Sequence, residues 1–470
     1  MKVFKKIIGI LLTAGMLVSL LGVTSYAATS DYTIKDGVLT SYSGDGGDLV
    51  IPENLGITRI EMYAFTNCQT LKSVVIPAGV VFVDPRAFIW SRNLVSITVA
   101  NGNASYASVD GVLFSKDKAR LITYPCGKTG GYTIPSSVTD IVFMSFAGCG
   151  GLTSVTIPEG VKAIEADAFS GCIGLTSIAI PASVTTIEDQ AFGTCGSLTD
   201  ITVATGNVNY TSSDGVLFTK DMTGLIRFPG GKSGSYKVPS SVRSIGYCAF
   251  EGCNQLFGIT VPLGVTSIGD SAFSGCDVLV SLIISSSVAR IGDNALDKCP
   301  NLTIYGKAGS YAESYAKAQG AIFSPLSLSA FSTSSAVQVN GKTVAFEAYN
   351  IYGNNYFKLR DLAKVISGTD RQFSIDIVSA NSVIYLTTGK SYTPVGGELT
   401  PPAVKGSVTA QYSTWRVYLN GAEISLKAYN INGNNYFKLR DVGEAIDFGV
   451  IWNAEKSTIE INTTTGYVFE

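Results

Sequence analysis

The chain has 470 residues, 46% of them hydrophobic, a formal net charge of −2, and no histidine. That length allows two or more full cores. The missing histidine removes Ser-His-Asp and Cys-His catalysis and the common zinc sites, and a near-neutral balance without a basic stripe removes nucleic acid as a partner.

Lys2, Lys5 and Lys6, the apolar run from Ile7 to Val23, and the small residues Ser25 and Ala27 form the three parts of a secretory signal peptide. Residues 1–27 are therefore expected to be removed and the remainder exported. No later stretch is apolar for long enough to cross a bilayer. With no cysteine at the cut and no sorting motif at the end, the expected location is secreted or non-covalently held at a bacterial cell surface. Residues 28–47 are strand-like around a Gly/Asp turn and are expected to cover one open end of the repeated region that begins at 48. Asp45 and Asp48 within that turn are weighed as turn residues rather than a metal site.

From 48 onward the chain repeats. LTSVTIPEGVKAIEADAFSGCIG, starting at Leu152, lies over LTSIAIPASVTTIEDQAFGTCGS, starting at Leu175, with Cys172 over Cys195. A fixed period of this size marks a solenoid, since one unit cannot bury its apolar face alone. Lines start at 48, 71, 94, 129, 152, 175, 198, 233, 256, 279 and 302, which at about 4.8 Å per neighbouring strand stack to roughly 50 Å. The pattern L-x-x-I-x-I-P-x-x-V-x-x-I-x-x-x-A-F-x-x-C resembles the BspA-like leucine-rich repeat of bacterial surface proteins. That resemblance implies a mainly β, right-handed leucine-rich-repeat solenoid, expected over residues 48–323.

Seven cysteines (Cys68, Cys149, Cys172, Cys195, Cys253, Cys276 and Cys299) share one repeat position. They are expected to be buried free thiols stacked in a column, each packing like a small hydrophobe. Cys126 and Cys248 stand outside it, and a bridge between Cys248 and Cys253 stays open. Two inserts interrupt the lines: Asp110-Gly111 maps onto Asp214-Gly215 and Pro125 onto Pro229, both offset by 104 residues. Each alternates VLF with a second apolar run and is expected to project as a β-hairpin. Ser310 and Gly320 bracket a short helix expected to close the far end.

Residues 324–335 are a linker by composition. Beyond them, from 336 to 470, VQVNGKTVAFEAYNIYGNNYFKLRDLAKVI returns 80 residues later as VYLNGAEISLKAYNINGNNYFKLRDVGEAI. Asn340-Gly341 and Asn420-Gly421 predict hairpin turns, and Gly353-Asn354-Asn355 with Gly433-Asn434-Asn435 predict second ones. Leu359, Leu362, Ala363 and Ile366 are spaced for a short amphipathic helix. Each half is thus a small α+β unit; whether the two make one domain or two stays open. Through Tyr356 to Asp361 and Tyr436 to Asp441, the halves resemble the copper-amine-oxidase N-terminal-like, or stalk, domain. A copper oxidase reading fails for want of histidine ligands, so Tyr356 and Tyr436 are read as packing residues.

Function is expected at two surfaces. One is the outward face of the stacked strands: Ser73, Ser96, Thr98, Ser154, Thr156, Ser177, Asp200, Thr202 and Thr260. The other is a set of insert aromatics, Tyr106, Tyr124, Tyr210 and Phe228, because aromatics concentrate at binding hot spots. The carboxylates Glu165, Asp167, Glu188 and Asp189 recur at variable repeat positions and are read as surface charge rather than the carboxylate pair of a glycosidase. No catalytic, cofactor or metal residue is assigned. The expected partner is an extracellular protein or glycan. By resemblance, BspA-like proteins are associated with adhesion, with the C-terminal module as spacer or envelope attachment. The second reading is cell-wall polysaccharide binding through that module; a histidine-independent glycan-active enzyme is the third.

Overall fold

Each 23-residue line folds into one coil. In the computed structural model, which describes residues 29–66, 68–333, 335–400 and 406–468, every coil contributes one long strand and most add a two-residue strand on the opposite side. The expected signal peptide lies outside the described residues. Along Leu152–Thr156 the apolar positions Leu152 and Val155 point inward while Thr153, Ser154 and Thr156 are exposed. From Ser154 to Ile157 the strand alternates as a half-buried strand does, and an irregularity in the pairing with Gly130-Gly131 brings Leu152 inward three residues before Val155. Long strands stack in parallel in three blocks. The first holds Gly47–Val50, Leu71–Ile76 and Ser96–Val99; the second Gly130–Thr133, Leu152–Thr156, Ser177–Ile180 and Asp200–Val203; the third Gly234–Lys237, Leu256–Val261, Ser281–Ile284, Thr303–Gly306 and Ile322–Pro325.

Two ladders fill the interior. Phe146, Phe169 and Phe192 stack at centroid spacings of 4.8 and 5.7 Å, and Phe228, Phe250 and Phe273 at 5.1 and 5.2 Å. Beside them runs the thiol column, which does more than fill space. Cys172, Cys195, Cys276 and Cys299 each donate to the carbonyl of the phenylalanine one coil back, at 3.1–3.2 Å, and Ser91 does the same to Phe65 at 2.9 Å. Each of these carbonyls already accepts a backbone N–H within its own turn, as Phe146 O does from Cys149 N–H at 3.1 Å, so the thiol takes the second lone pair and ties one coil to the next. Cys149 departs from the expected column of free thiols: it is disulfide-bonded to Cys126, 23 residues earlier. The first insert takes one coil's place in the stack and so brings Cys126 onto the neighbouring rung. Cys248 and Cys253 are free thiols, not a bridge.

The inserts do not project. Tyr106–Val109, Val112–Ser115 and Arg120–Thr123 form a three-stranded antiparallel sheet whose last strand pairs in parallel with Asp140–Ile141, and Tyr210–Ser213, Val216–Thr219 and Gly224–Arg227 repeat this against Ser244–Ile245. Leu113 and Ile122 pack into the first block's core, whereas Val112, Phe114 and Leu121 pack into the second's. Each insert is therefore a partition wall with two apolar faces. Three consecutive apolar residues, Val112-Leu113-Phe114, are what burial on both faces requires.

At the far end, the helix Tyr311–Ala318 packs Ala312, Tyr315 and Ala316 on the last coil. Ser310 makes no side-chain cap there; Glu313 instead accepts from the Gly309 N–H at 2.7 Å. The solenoid continues past this helix with Ile322–Pro325, and the expected linker is strand again: Ser327–Ser332 buries Leu328 and Ala330. Composition misled because the serines alternate with those apolar residues, facing outward.

Beyond lies a closed six-stranded barrel of Ser327–Ser332, Ala348–Ile351, Asn354–Lys358, Asn434–Lys438, Ala428–Ile431 and Ser407–Tyr412. Tyr349, Tyr356, Tyr429 and Tyr436 fill it in edge-to-face pairs, Tyr349 on Tyr436 at 5.0 Å and Tyr356 on Tyr429 at 5.3 Å. The barrel's other face packs Phe357 and Phe437 under the helices Leu359–Ile366 and Leu439–Ile446. The turns expected at Gly353 and Gly433 centre one residue earlier, on Tyr352-Gly353 and Asn432-Gly433, where φ is positive at both residues of each pair. The halves are intertwined. Ala336–Val339 of the first pairs in parallel with Thr458–Asn462 of the second, and Arg416–Leu419 of the second with Val383–Thr388 of the first.

Candidate functional site

The strand face is not uniform. Ser154, Thr156, Ser177 and Thr202 of the second block are exposed, as is Thr98 of the first. In register, Thr133 lies opposite Thr156, Ser177 opposite Asp200 and Ala179 opposite Thr202, so the second block carries a continuous, small, hydroxylated surface. The first block uses part of its set internally: Ser73 Oγ donates to Asp48 Oδ1 at 2.7 Å.

Ser96 and Asp200 sit at the block edges and are half-buried. There the tight turn of each partition meets the last long strand, with Ile97 N–H donating to Gly111 O at 2.7 Å and Ile201 N–H to Gly215 O at 2.9 Å. A Cβ on Gly111 would lie 2.8 Å from Ser96 Oγ. Glycine is thus needed at that turn for approach as well as for its φ of 77°.

The third block's face is covered. Tyr412, at the end of a barrel strand, lies against Tyr305 with its ring tilted by 32° at a centroid distance of 4.1 Å and hydrogen-bonds Ser281 at 3.1 Å, while Lys427 lies 5.6 Å from the Tyr305 ring. Gly234 lets the hairpin bearing Arg416 and Glu423 close in, since a Cβ there would meet Glu423 at 2.6 Å. Thr260 lines a crevice of about 80 Å³ beneath that hairpin. This holds a few waters, not a partner, so Thr260 leaves the candidate face. Nothing in the local sequence of Tyr412 marks it as a docking residue.

Of the four insert aromatics, Tyr106, Tyr124 and Phe228 are buried and Tyr210 is half-buried. They are structural. Tyr124 and Phe228 are the first rungs of the aromatic ladders, 4.9 and 5.1 Å from Phe146 and Phe250. The hydroxyls of Tyr106 and Tyr210 accept from Val83 N–H at 2.8 Å and Ile187 N–H at 2.9 Å, each taking up a donor on the last two-residue strand of its block. Asn103 and Asn207, which the repeat pattern does not single out, fix these tyrosines by accepting their backbone N–H groups at 2.8 Å. The signal was present as a recurring N-x-x-Y.

Two of the four acidic positions are likewise committed, while Asp189 is exposed. Glu165 accepts from Phe143 N–H at 2.8 Å and Arg120 at 3.0 Å, and Glu188 accepts from Ala166 N–H at 2.9 Å. Each carboxylate stitches its coil to the one before. Burial raises the Asp167 carboxyl above the ordinary range. Among the described residues, no three His, Cys, Asp or Glu side chains converge to hold a metal, and no helix is long and apolar enough to cross a membrane.

In the C-terminal module, Asn350, Asn354, Asn355, Arg440, Ile451 and Trp452 line a cavity of about 480 Å³.

A leucine-rich cell surface protein of Faecalibacterium prausnitzii is 25% identical, covering 62% of this chain and 97% of its own, with a TM-score of 0.38. A leucine-rich repeat protein of Eubacterium ventriosum is 26% identical over 59% of this chain and 69% of its own, at 0.37. The pneumococcal vaccine antigen PcpA is 20% identical over 58% and 78%, at 0.40. No functionally curated protein matches. The BspA type Leucine rich repeat region, in six copies, matches residues 42–127, 123–220 and 227–351. With most of its length in that match and its coils, phenylalanines and thiols in the places the repeat requires, the chain belongs to the BspA type leucine-rich repeat family.

Proposed function

We propose that this is a non-enzymatic recognition protein, secreted or held non-covalently at a bacterial cell surface, that binds an extracellular protein or glycan with the strand face of its second block. One observation carries the reading: Ser154, Thr156, Ser177 and Thr202 form an exposed face with no side chain from elsewhere laid over it among the described residues, whereas the equivalent face of the third block is occupied. Small hydroxyls on a rigid sheet offer donors and acceptors with little side-chain entropy to lose. The C-terminal module, through its stalk-like resemblance, serves as spacer or envelope attachment.

The test is binding of the intact protein to arrayed extracellular-matrix proteins and glycans, compared with a Ser154→Glu, Ser177→Glu, Thr202→Glu variant. The variant is expected to melt as wild type and lose its partner. Unchanged binding would move the site elsewhere. Separating the chain between Pro325 and Leu326, and testing each part on purified cell walls, assigns the envelope contact to one module.

A further inference from the structure

The two halves of the C-terminal module repeat one polar turn. Asn350, Asn354 and Asn355 return as Asn430, Asn434 and Asn435, and the amide of Asn350 donates to Asn355 at 3.3 Å as that of Asn430 does to Asn435 at 3.2 Å. The strand beside the turn does not repeat. Trp452 pairs with Ile459, and the residue in the matching register of the other half, paired with Ile384, is Ile377. The preceding position is Ile451 in one half and Asp376 in the other. Two large apolar side chains are thus set beside the asparagine turn on one side of the pseudo-dyad alone.

Neither serves the core. Ile451 is 46% and Trp452 45% exposed, on the outermost strand of its sheet, Gly449–Asn453. Together with the asparagines they bound the 480 Å³ cavity, a size in the range of small-molecule sites. Its chemistry is mixed in a specific way. An indole offers a flat apolar face with a polar edge, and each asparagine amide both donates and accepts. Asn355 Oδ1 is used by Asn350, and its Nδ2 has no hydrogen bond among the described residues. Lys438 is held by Asp441 at 3.0 Å, so its charge is already balanced.

A ligand that fits must present a flat C–H face to the indole and hydroxyls that donate and accept to the amides. A pyranose ring does both. We propose that this cavity binds an uncharged pyranose unit of an oligosaccharide, with Trp452 as the platform and Asn354 and Asn355 as hydroxyl partners. The site is on a different module from the solenoid's strand face, so either can fail without the other.

The intact protein is titrated with N-acetylchitotetraose, cellotetraose and mannotetraose, followed by calorimetry and tryptophan fluorescence. Saturable binding to at least one is expected, weakened on the order of tenfold or more by Trp452→Ala, largely kept by Trp452→Tyr, and unchanged by Trp90→Ala. Should Trp452→Ala melt below wild type, Asn355→Ala, which leaves the strand intact, is expected to weaken the same sugar severalfold. No saturable binding to any of the three overturns the proposal, as does binding that survives a stably folded Trp452→Ala.

Discussion

Both modules are built by duplication, but the solenoid repeats by translation and the C-terminal module by rotation. A coil at Leu152–Thr156 meets only the coils before and after it, as in any quasi-one-dimensional array. The C-terminal halves instead lend each other strands, Ala336–Val339 to the second half and Arg416–Leu419 to the first, and close one barrel between them. Translation makes a long surface in which each coil depends only on its neighbours, whereas rotation makes a compact body that exists only whole.

The sharpest way to break the comparison is to cut each module. Residues 326–400 alone are expected to show no cooperative melt and no dispersed amide spectrum, because the barrel and both flanking sheets lose strands. Residues 29–325 are expected to melt cooperatively. A folded half-module would mean the intertwining is incidental. Next in size, Phe169→Ala should cost about 3–5 kcal/mol by leaving a cavity in the ladder, and Tyr356→Ala a similar amount in the barrel. Hydrogen exchange separates the two. Protection should fall in coils adjoining Phe169 but across the whole module for Tyr356, and a global loss from Phe169→Ala would count against the translational picture.

How legible this was depends on the kind of repeat. The coils could be read in order because each inward residue, such as Val155 or Phe169, contacts its own copy 23 residues on. Distance in sequence and distance in space then agree. The partitions could be located by their 104-residue offset but not oriented, since a V-L-F run is ambiguous between an exposed hairpin and a wall until its neighbours are known. The barrel could be recognised as a duplication, with its helices and Asn-Gly turns in place. The exchange of strands is tertiary information, however, and Ala336–Val339 carries no mark of pairing with Thr458–Ile461, 122 residues away. Tyr412 was invisible for a related reason, since it matters through what it lies against.

The thiols sharpen the comparison inside the solenoid. Reducing Cys126–Cys149, which closes a 23-residue loop, should cost about 3 kcal/mol on the chain-entropy account, loosening the first partition while the C-terminal module melts unchanged. Of the seven free cysteines six are buried, Cys299 being half-buried, and burial pushes the Cys195 and Cys248 thiols up to about 11. Burial raises the half-buried Cys299 thiol too, to about 12, so native labelling should be slow throughout, with Cys299 the most accessible of the seven. Rapid reaction of several thiols would overturn the column.

The smallest effect tests the barrel's broken symmetry. Asp361 and Asp441 occupy matching positions, but Asp441 keeps an ion pair with Lys438 at 3.0 Å, whereas Asp361 is fully buried. Asp361 Oδ1 accepts from Leu399 N–H at 3.0 Å, Oδ2 has no hydrogen bond, and Lys358 stands 3.9 Å away. Burial first, then the charges of Glu347 and Glu398, raise the Asp361 pKa above the ordinary aspartate value, against the lowering pull of the Leu399 N–H and Lys358. The folded module then holds this proton more tightly than the unfolded chain does. Its contribution to stability is present below an ordinary aspartate pKa of about 3.9 and is lost as pH rises through the raised value. Asp361→Asn keeps the acceptor for Leu399 and removes the charge, while Lys358 retains Glu347 at 2.6 Å. Relative to wild type, the variant should gain in melting temperature between pH 4 and pH 7, and Asp441→Asn should not; equal pH profiles for the two would mean the halves differ in sequence but not in the environment they give this carboxyl.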